Sequence, residues 1–180
     1  NLDHPEKMSK QVKKLYNLYK NTAEVPLFKI KDAKSRVHAQ QGQKSGFKRA
    51  VEKSGLYMEQ IQKILKEYDI PKELAWLPLI ESSFSPYVRS HVGAAGMWQL
   101  MPATGKQYGL KMNYLIDERC DPLISTRAAA RHLANNYKKL QSWPLAITAY
   151  NHGLGGIRNG VKKVKSKNIA DIIEKYDGSR

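Results

Sequence analysis

Apolar residues recur every three or four positions along most of this chain, and no alternating apolar–polar stretch runs longer than a few residues. That periodicity is the helical one, so the sequence predicts an all-α fold. Met8, Val12, Leu15, Tyr16 and Tyr19 suggest a helix over residues 5–20, and residues 22–44 read as a polar, irregular arm. Phe47 and Val51, then Ile61, Ile64, Leu65 and Tyr68, predict two helices broken near Ser54-Gly55. Pro71 suits the first turn of the next helix, which Pro78 should kink by removing a backbone donor. Pro86, Gly93 and Gly96 punctuate an irregular stretch over 85–101. A short helix is expected from Pro102 to before Gly109. A long one capped by Ser125 should place Ala129, Leu133, Asn136, Tyr137 and Leu140 along its face. Pro144 opens another that ends by Gly153, and Asn168 caps a last one through Tyr176. No internal repeat is present.

With 180 residues, 41% of them hydrophobic and three Trp, the chain can bury one sizeable core. No apolar stretch approaches the roughly 20 residues that a membrane-spanning helix needs. No signal peptide opens the sequence, so an export signal or anchor, if one belongs to the protein, is expected outside it. The net charge of +15 is unevenly spread. Residues 1–55 and 106–180 each carry +8, whereas residues 56–105 carry −1. Such a field attracts polyanions, among them nucleic acid, anionic lipid and acidic wall polymers. No zinc-finger, basic-zipper or RNA-recognition signature accompanies it, so no specific nucleic-acid partner is expected. His4, His38, His91, His132 and His152 show no metal-ligand pairing, and no metal or organic cofactor is implied. Cys120 has no partner cysteine and reads as incidental.

The near-neutral centre holds the residue of greatest chemical interest. Leu74, Leu77, Glu81 and Phe84 are spaced to share one helix face, which places a carboxylate among apolar neighbours. Desolvation there would raise its pKa and let it hold a proton for a leaving group. A salt-bridged core Glu, or one turned to solvent at the helix end, fits the same spacing. No other acid follows until Asp117.

Three stretches complete the picture: Glu81-Ser82, Gly93-Ala94-Ala95-Gly96-Met97-Trp98-Gln99, and Ala149-Tyr150-Asn151. Gly96 and its small neighbours would let a ligand approach the backbone, or they form an ordinary turn. Gln99 offers a ligand both an amide donor and an acceptor. Met97 and Trp98 would give a ligand apolar contact or belong to the core. Ser82 would bond a ligand or its own helix backbone.

Taken in order, with Pro102-Ala103-Thr104-Gly105, Asp117-Glu118-Arg119 and Asp121-Pro122 between them, these motifs resemble the catalytic domain of bacterial lytic transglycosylases. These are goose-lysozyme-like enzymes of glycoside hydrolase family 23, and the wording is similar to the membrane-bound lytic murein transglycosylase D branch. The similarity runs from about Phe47 to about Gly160. It implies a lysozyme-like, goose-type helical domain with additional N-terminal helices, divided as an extension over 1–45 and a catalytic domain over 46–180. It also implies that Glu81 is the catalytic acid and then the base, that the Tyr150 hydroxyl approaches it, and that Asn151 lies beside them. On the same resemblance the ligand is a glycan, with Gly96, Met97 and Trp98 beside sugar rings, Gln99 on an acetamido group and Ser82 on the glycan or its peptide stem.

The resemblance implies cleavage of the β-1,4 bond between N-acetylmuramic acid and N-acetylglucosamine in peptidoglycan. Ordinary glycosidases need two carboxylates, roughly 5 Å apart for a nucleophile and roughly 6.5–9.5 Å apart when a water intervenes. Between Ser82 and Ile116 there is no acid at all. That gap favours a reaction that needs one titrating group, and the resemblance implies which: attack by the muramic acid C6 hydroxyl, which forms a 1,6-anhydro end. Asp117, Glu118 and Asp121 are acids that folding has still to place. A lysozyme-type hydrolase on the same fold, acting also on deacetylated or otherwise modified glycan, is the alternative. A non-catalytic wall-binding domain is the third reading, and it leaves the acid without a use. The implied partner is the glycan strand, with electrostatic attraction to an anionic wall or membrane surface. The implied location is the periplasm or outer envelope, and the implied state is a monomer.

Overall fold

The computed structural model describes residues 5–10, 13, 17 and 44–176. Among them every regular element is helical, and three isolated β-bridges are the only strand-like pairings: Arg89 with Ala95, Ala95 with Leu100, and Met112 with Asp117. The fold is all-α. The chain forms two compact units, residues 40–139 and residues 1–39 with 140–180. Among the described residues no helix is long and apolar enough to cross a membrane.

In the first unit, helix α1 (Lys44–Ser54) buries Ala50 and Ser54. Phe47 and Val51, expected on its inner face, are exposed, because Ala50 and Ser54 share the i, i+4 stripe that turns inward. Helix α2 (Met58–Glu67) buries Ile61, Ile64 and Leu65 as its periodicity requires. The expected continuous helix from Pro71 to Phe84 does not form. Residues Lys72–Trp76 make a 3-10 helix, and helix α3 (Leu77–Ser82) starts anew with Pro78 in its first turn. Pro78 therefore begins a helix where its missing N–H costs nothing, and no bent helix results. Leu77 and Glu81 still share a face, four residues apart, but Leu74 belongs to the preceding element.

Helix α4 (Pro102–Gln107) closes on Gly109, which has φ +84°, as expected. Helix α5 (Pro122–Leu140) begins three residues before Ser125. Its cap is Asp121, whose Oδ1 accepts from the backbone N–H of Leu123 (2.9 Å) and Ile124 (2.8 Å). Ser125 instead donates back to the Asp121 carbonyl at 2.5 Å. The face named from the sequence is the buried one: Ala129, Leu133, Asn136 and Leu140 are all inside.

In the other unit, α6 (Trp143–His152), α7 (Leu154–Val164) and α8 (Ile169–Lys175) enclose a core of Leu140, Leu145, Ala149, Ile157 and Ile172. Asn168 caps α8 through a 2.9 Å bond from Ala170 N–H. Helix α7 is not apparent from the sequence because Gly155, Gly156 and Gly160 lower its propensity. Gly160 is tolerated for its lack of bulk: a Cβ there would stand 2.8 Å from the Tyr176 ring. Of the helix expected over 5–20, Pro5–Lys7 form a 3-10 turn. Most of the rest, and nearly all of the arm expected over 22–44, lies outside the described residues.

Candidate active site

Glu81 occupies the last turn of α3, half-buried, one residue before the buried Ser82. A six-residue helix needs outside support, and three features supply it. The helix ends in a left-handed turn in which Ser83 and Phe84 both take positive φ (54° and 55°). Phe84 N–H donates to Pro78 O at 3.1 Å, and Ser83 N–H to Leu79 O at 3.2 Å. The Phe84 ring is fully buried and meets Trp76 edge-to-face at 6.1 Å, so an aromatic pair brackets the two ends of the helix. Finally, Ser82 Oγ donates to Met97 O at 2.8 Å and accepts from Ser85 N–H at 3.1 Å. Of the two uses open to Ser82, the structure displays the backbone one, and it extends beyond its own helix to tie α3 to the glycine-rich loop.

That loop is built around Gly96. Gly96 N–H donates to Val88 O, and Gln99 N–H returns to Gly96 O, which closes a tight turn over Met97 and Trp98. Gln99 takes φ +46° at its end. Its side-chain Nε2 donates to Gly96 O (2.9 Å) and Val88 O (3.2 Å). Both partners are carbonyls, which only accept, so the amide nitrogen must face them. The Gln99 side-chain oxygen is the end left to meet a ligand's donor.

For Met97, Trp98 and Gly96 the structure displays the structural one of the two uses that the sequence left open. Met97 and Trp98 have no exposed surface, and Trp98 Nε1 donates to Thr126 Oγ1 at 2.7 Å. They are core residues that support the loop from within, not platforms for a sugar. Gly96 is also buried, and its missing side chain serves another part of the protein. A Cβ there would overlap the Arg119 carbonyl group, whose carbon it would approach to 2.6 Å.

The three acids left open by the sequence all have structural duties. Asp117 Oδ1 accepts from Arg119 N–H (3.2 Å) and Nε (3.0 Å), and Oδ2 from Arg119 Nη2 and Arg89 Nη1, both at 2.8 Å. The Arg119 hydrogen bonds hold its carboxyl below the usual aspartate range, although burial pushes the other way. Glu118 Oε2 accepts from Lys111 N–H at 2.7 Å, and Asp121 caps α5. Arg119 itself is buried and also donates through Nη1 to Gly93 O (2.7 Å) and Leu100 O (2.9 Å). The sequence signals nothing of this, since a lone Arg between acids more often sits on the surface.

Tyr150 and Asn151 belong to the other compact unit, in the last turn of α6 after the buried Ala149. Tyr150 is half-buried and Asn151 exposed.

A short helix that ends on a carboxylate, bonded through its next residue to a Gly-x-x-Gln turn within an all-α frame, defines the class. The transglycosylase SLT domain model matches residues 59–173, and the chain belongs to that family. It is 38% identical over 112 residues to the membrane-bound lytic murein transglycosylase D of Escherichia coli K12, covering 62% of this chain and 25% of that protein. It is 36% identical over 110 residues to the peptidoglycan transglycosylase gp16 of phage T7, covering 59% of this chain and 8% of that one. The chain thus spans a quarter or less of these two relatives. Its fold is similar to that of an inactive mutant of the lytic transglycosylase Slt from Pseudomonas aeruginosa. The TM-score is 0.54 at 22% identity, over 67% of this chain and 21% of that one.

Proposed function

We propose that this protein is a peptidoglycan lytic transglycosylase in which Glu81 is the one titrating catalytic group. The Glu81 carboxyl protonates the glycosidic oxygen between N-acetylmuramic acid and N-acetylglucosamine as the C1–O bond breaks. The resulting carboxylate then takes the proton of the muramic acid C6 hydroxyl as that oxygen bonds to C1, which gives a 1,6-anhydro end. Atoms and charge balance with no water consumed. The observation that carries this reading is the engagement of Asp117, Glu118 and Asp121 in structural hydrogen bonds. A second carboxylate for activating water would have to give up one of these roles. Family membership and the named activities of the relatives support the substrate.

In this reading Gln99 presents its side-chain oxygen to a substrate N–H such as that of an acetamido group. Tyr150 and Asn151 support the same reaction, as the resemblance implies, and Ser82 and Gly96 shape the site without touching substrate. Residues 46–180 act as the catalytic domain and residues 1–45 as its extension. The protein works as a monomer in the periplasm or outer envelope, and its basic flanks draw it to anionic wall or membrane surfaces.

Mass spectrometry of digests of chemically defined peptidoglycan tests the proposal. Anhydromuramic ends are expected, whereas reducing ends would make the protein a lysozyme-type hydrolase. E81Q keeps the side chain's shape but has no proton to give, so turnover should fall by about 10²–10⁴-fold. Near-native turnover in a folded E81Q protein would remove Glu81 from the mechanism.

A further inference from the structure

Among the described residues Arg119 is the only buried ionisable side chain. Removing a guanidinium from water costs several kcal/mol unless its donors are satisfied, so a buried one needs a compensating structure. Here Nε and Nη2 engage the Asp117 carboxylate, while Nη1 divides between Gly93 O (2.7 Å) and Leu100 O (2.9 Å). Those two carbonyls stand at the beginning and end of the loop that contains Gly96, Met97 and Gln99. The backbone carbonyl of Arg119 fills the space that Gly96 leaves by having no Cβ. One residue therefore grips the loop at both ends and in the middle. From the gripped loop, Gly96 O holds the Gln99 amide at 2.9 Å, and Met97 O receives the Ser82 hydroxyl at 2.8 Å.

We infer that Arg119 is a positioning residue for the reaction: it fixes the loop that aims the Gln99 side-chain oxygen and anchors the Glu81 helix through Ser82. The functional half of this inference rests on the proposed activity, while the geometric half stands without it. Lysine cannot substitute. Its ammonium is a compact charge on a flexible stem, so it can pair with Asp117 or reach a carbonyl but cannot present the planar fork that does both. A loop displaced by 1 Å is enough to cost about 10²-fold in rate.

The test is R119K, alone and combined with Q99A, on the full chain, with thermal melts to confirm folding. Turnover should fall at least tenfold in R119K while KM changes far less. In the Q99A background the further loss should be smaller but not abolished, since the route through Met97 O and Ser82 to the Glu81 helix remains. In nitrogen-15 spectra the Gln99 side-chain NH₂ resonances should move in R119K, because the carbonyls that hold them have shifted. Fully independent losses in the cycle, or unmoved Gln99 resonances, would overturn the assignment. Should R119K fail to fold, D117N retains the guanidinium but loosens its orientation, and the Gln99 resonances must then move in D117N. If the wild-type protein cleaves no peptidoglycan, the proposed activity fails, and the resonance measurement still decides the positioning claim.

Discussion

Replacing Gly96 with Ala separates two costs that a glycine usually hides together. The first is conformational. Gly96 has φ +81°, and an L-residue with positive φ loses about 1–2 kcal/mol. The second is spatial: the new Cβ would meet the Arg119 carbonyl carbon at 2.6 Å, so backbone on one side or the other must move. Overpacking of this kind costs about 1–3 kcal/mol. Gly109 supplies the control, because it has φ +84° and nothing within 4 Å of its would-be Cβ. G109A therefore bears only the first cost, about 1–2 kcal/mol, and G96A bears both, about 2–5 kcal/mol. Any gain from a stiffer unfolded chain is common to the two variants and cancels in the comparison. The difference of about 1–3 kcal/mol corresponds to roughly 2–12 °C in Tm for a chain of this size. Urea titrations and calorimetry of both variants would measure it. If the two lose stability equally, within about 0.5 kcal/mol, the close approach of Arg119 to Gly96 is not a feature of the folded protein.

Three further outcomes are expected. S82A should cost about 1–3 kcal/mol, because the buried Met97 carbonyl loses its donor, and turnover should fall more than KM rises; denaturant melts beside steady-state kinetics check both. Asp117 has a folded-state pKa below its unfolded value, so it adds stability that is complete above the unfolded pKa and is lost as pH falls through the folded one. D117N should accordingly flatten the decline in stability below about pH 5, and an unchanged slope would contradict the Arg119–Asp117 pairing. Binding to intact sacculi should weaken with salt, since screening sets in over about 8 Å at physiological ionic strength, while cleavage of a short soluble glycan changes much less. A parallel fall in both would place the basic charge inside the substrate groove.

Helix positions were legible where local chemistry decides them. Pro102 with Gly109, Pro144 with Gly153, and Asn168 as a cap all lie at the expected helix ends, because starts and stops depend on one or two backbone groups. The errors arose where tertiary contacts prevail. Pro78 could kink a helix or begin one, and only the burial of Leu77 and Phe84 selects the second. Asp121 displaced Ser125 as a cap because the next residue, Pro122, suits a first helical turn. Helix α7 was hidden by its glycines, of which Gly156 and Gly160 leave room for the His152 and Tyr176 rings. Around the candidate site, the sequence named Ser82, Gly96 and Gln99 as residues of interest but not what each of them holds. Met97 and Trp98 illustrate the ambiguity of an aromatic next to a methionine, which suits a core and a binding face equally well. Arg119 was hidden because the burial of a charge is a property of the assembled loop and of no local pattern.

The brevity of the helix Leu77–Ser82 has a consequence for when the proposed activity can begin. Six residues form too few internal hydrogen bonds to repay helix nucleation, so the segment has little order of its own. Its direction depends on the Trp76–Phe84 pair and the Ser82–Met97 bond, both made only as residues 40–139 come together. A nascent or partly unfolded copy carries Glu81 but points it nowhere in particular. For a protein proposed to cut the mesh that keeps a bacterium from bursting, folding is then the safety catch. On that proposal a copy that has not yet folded, or that has lost its packing, cuts nothing and needs no inhibitor.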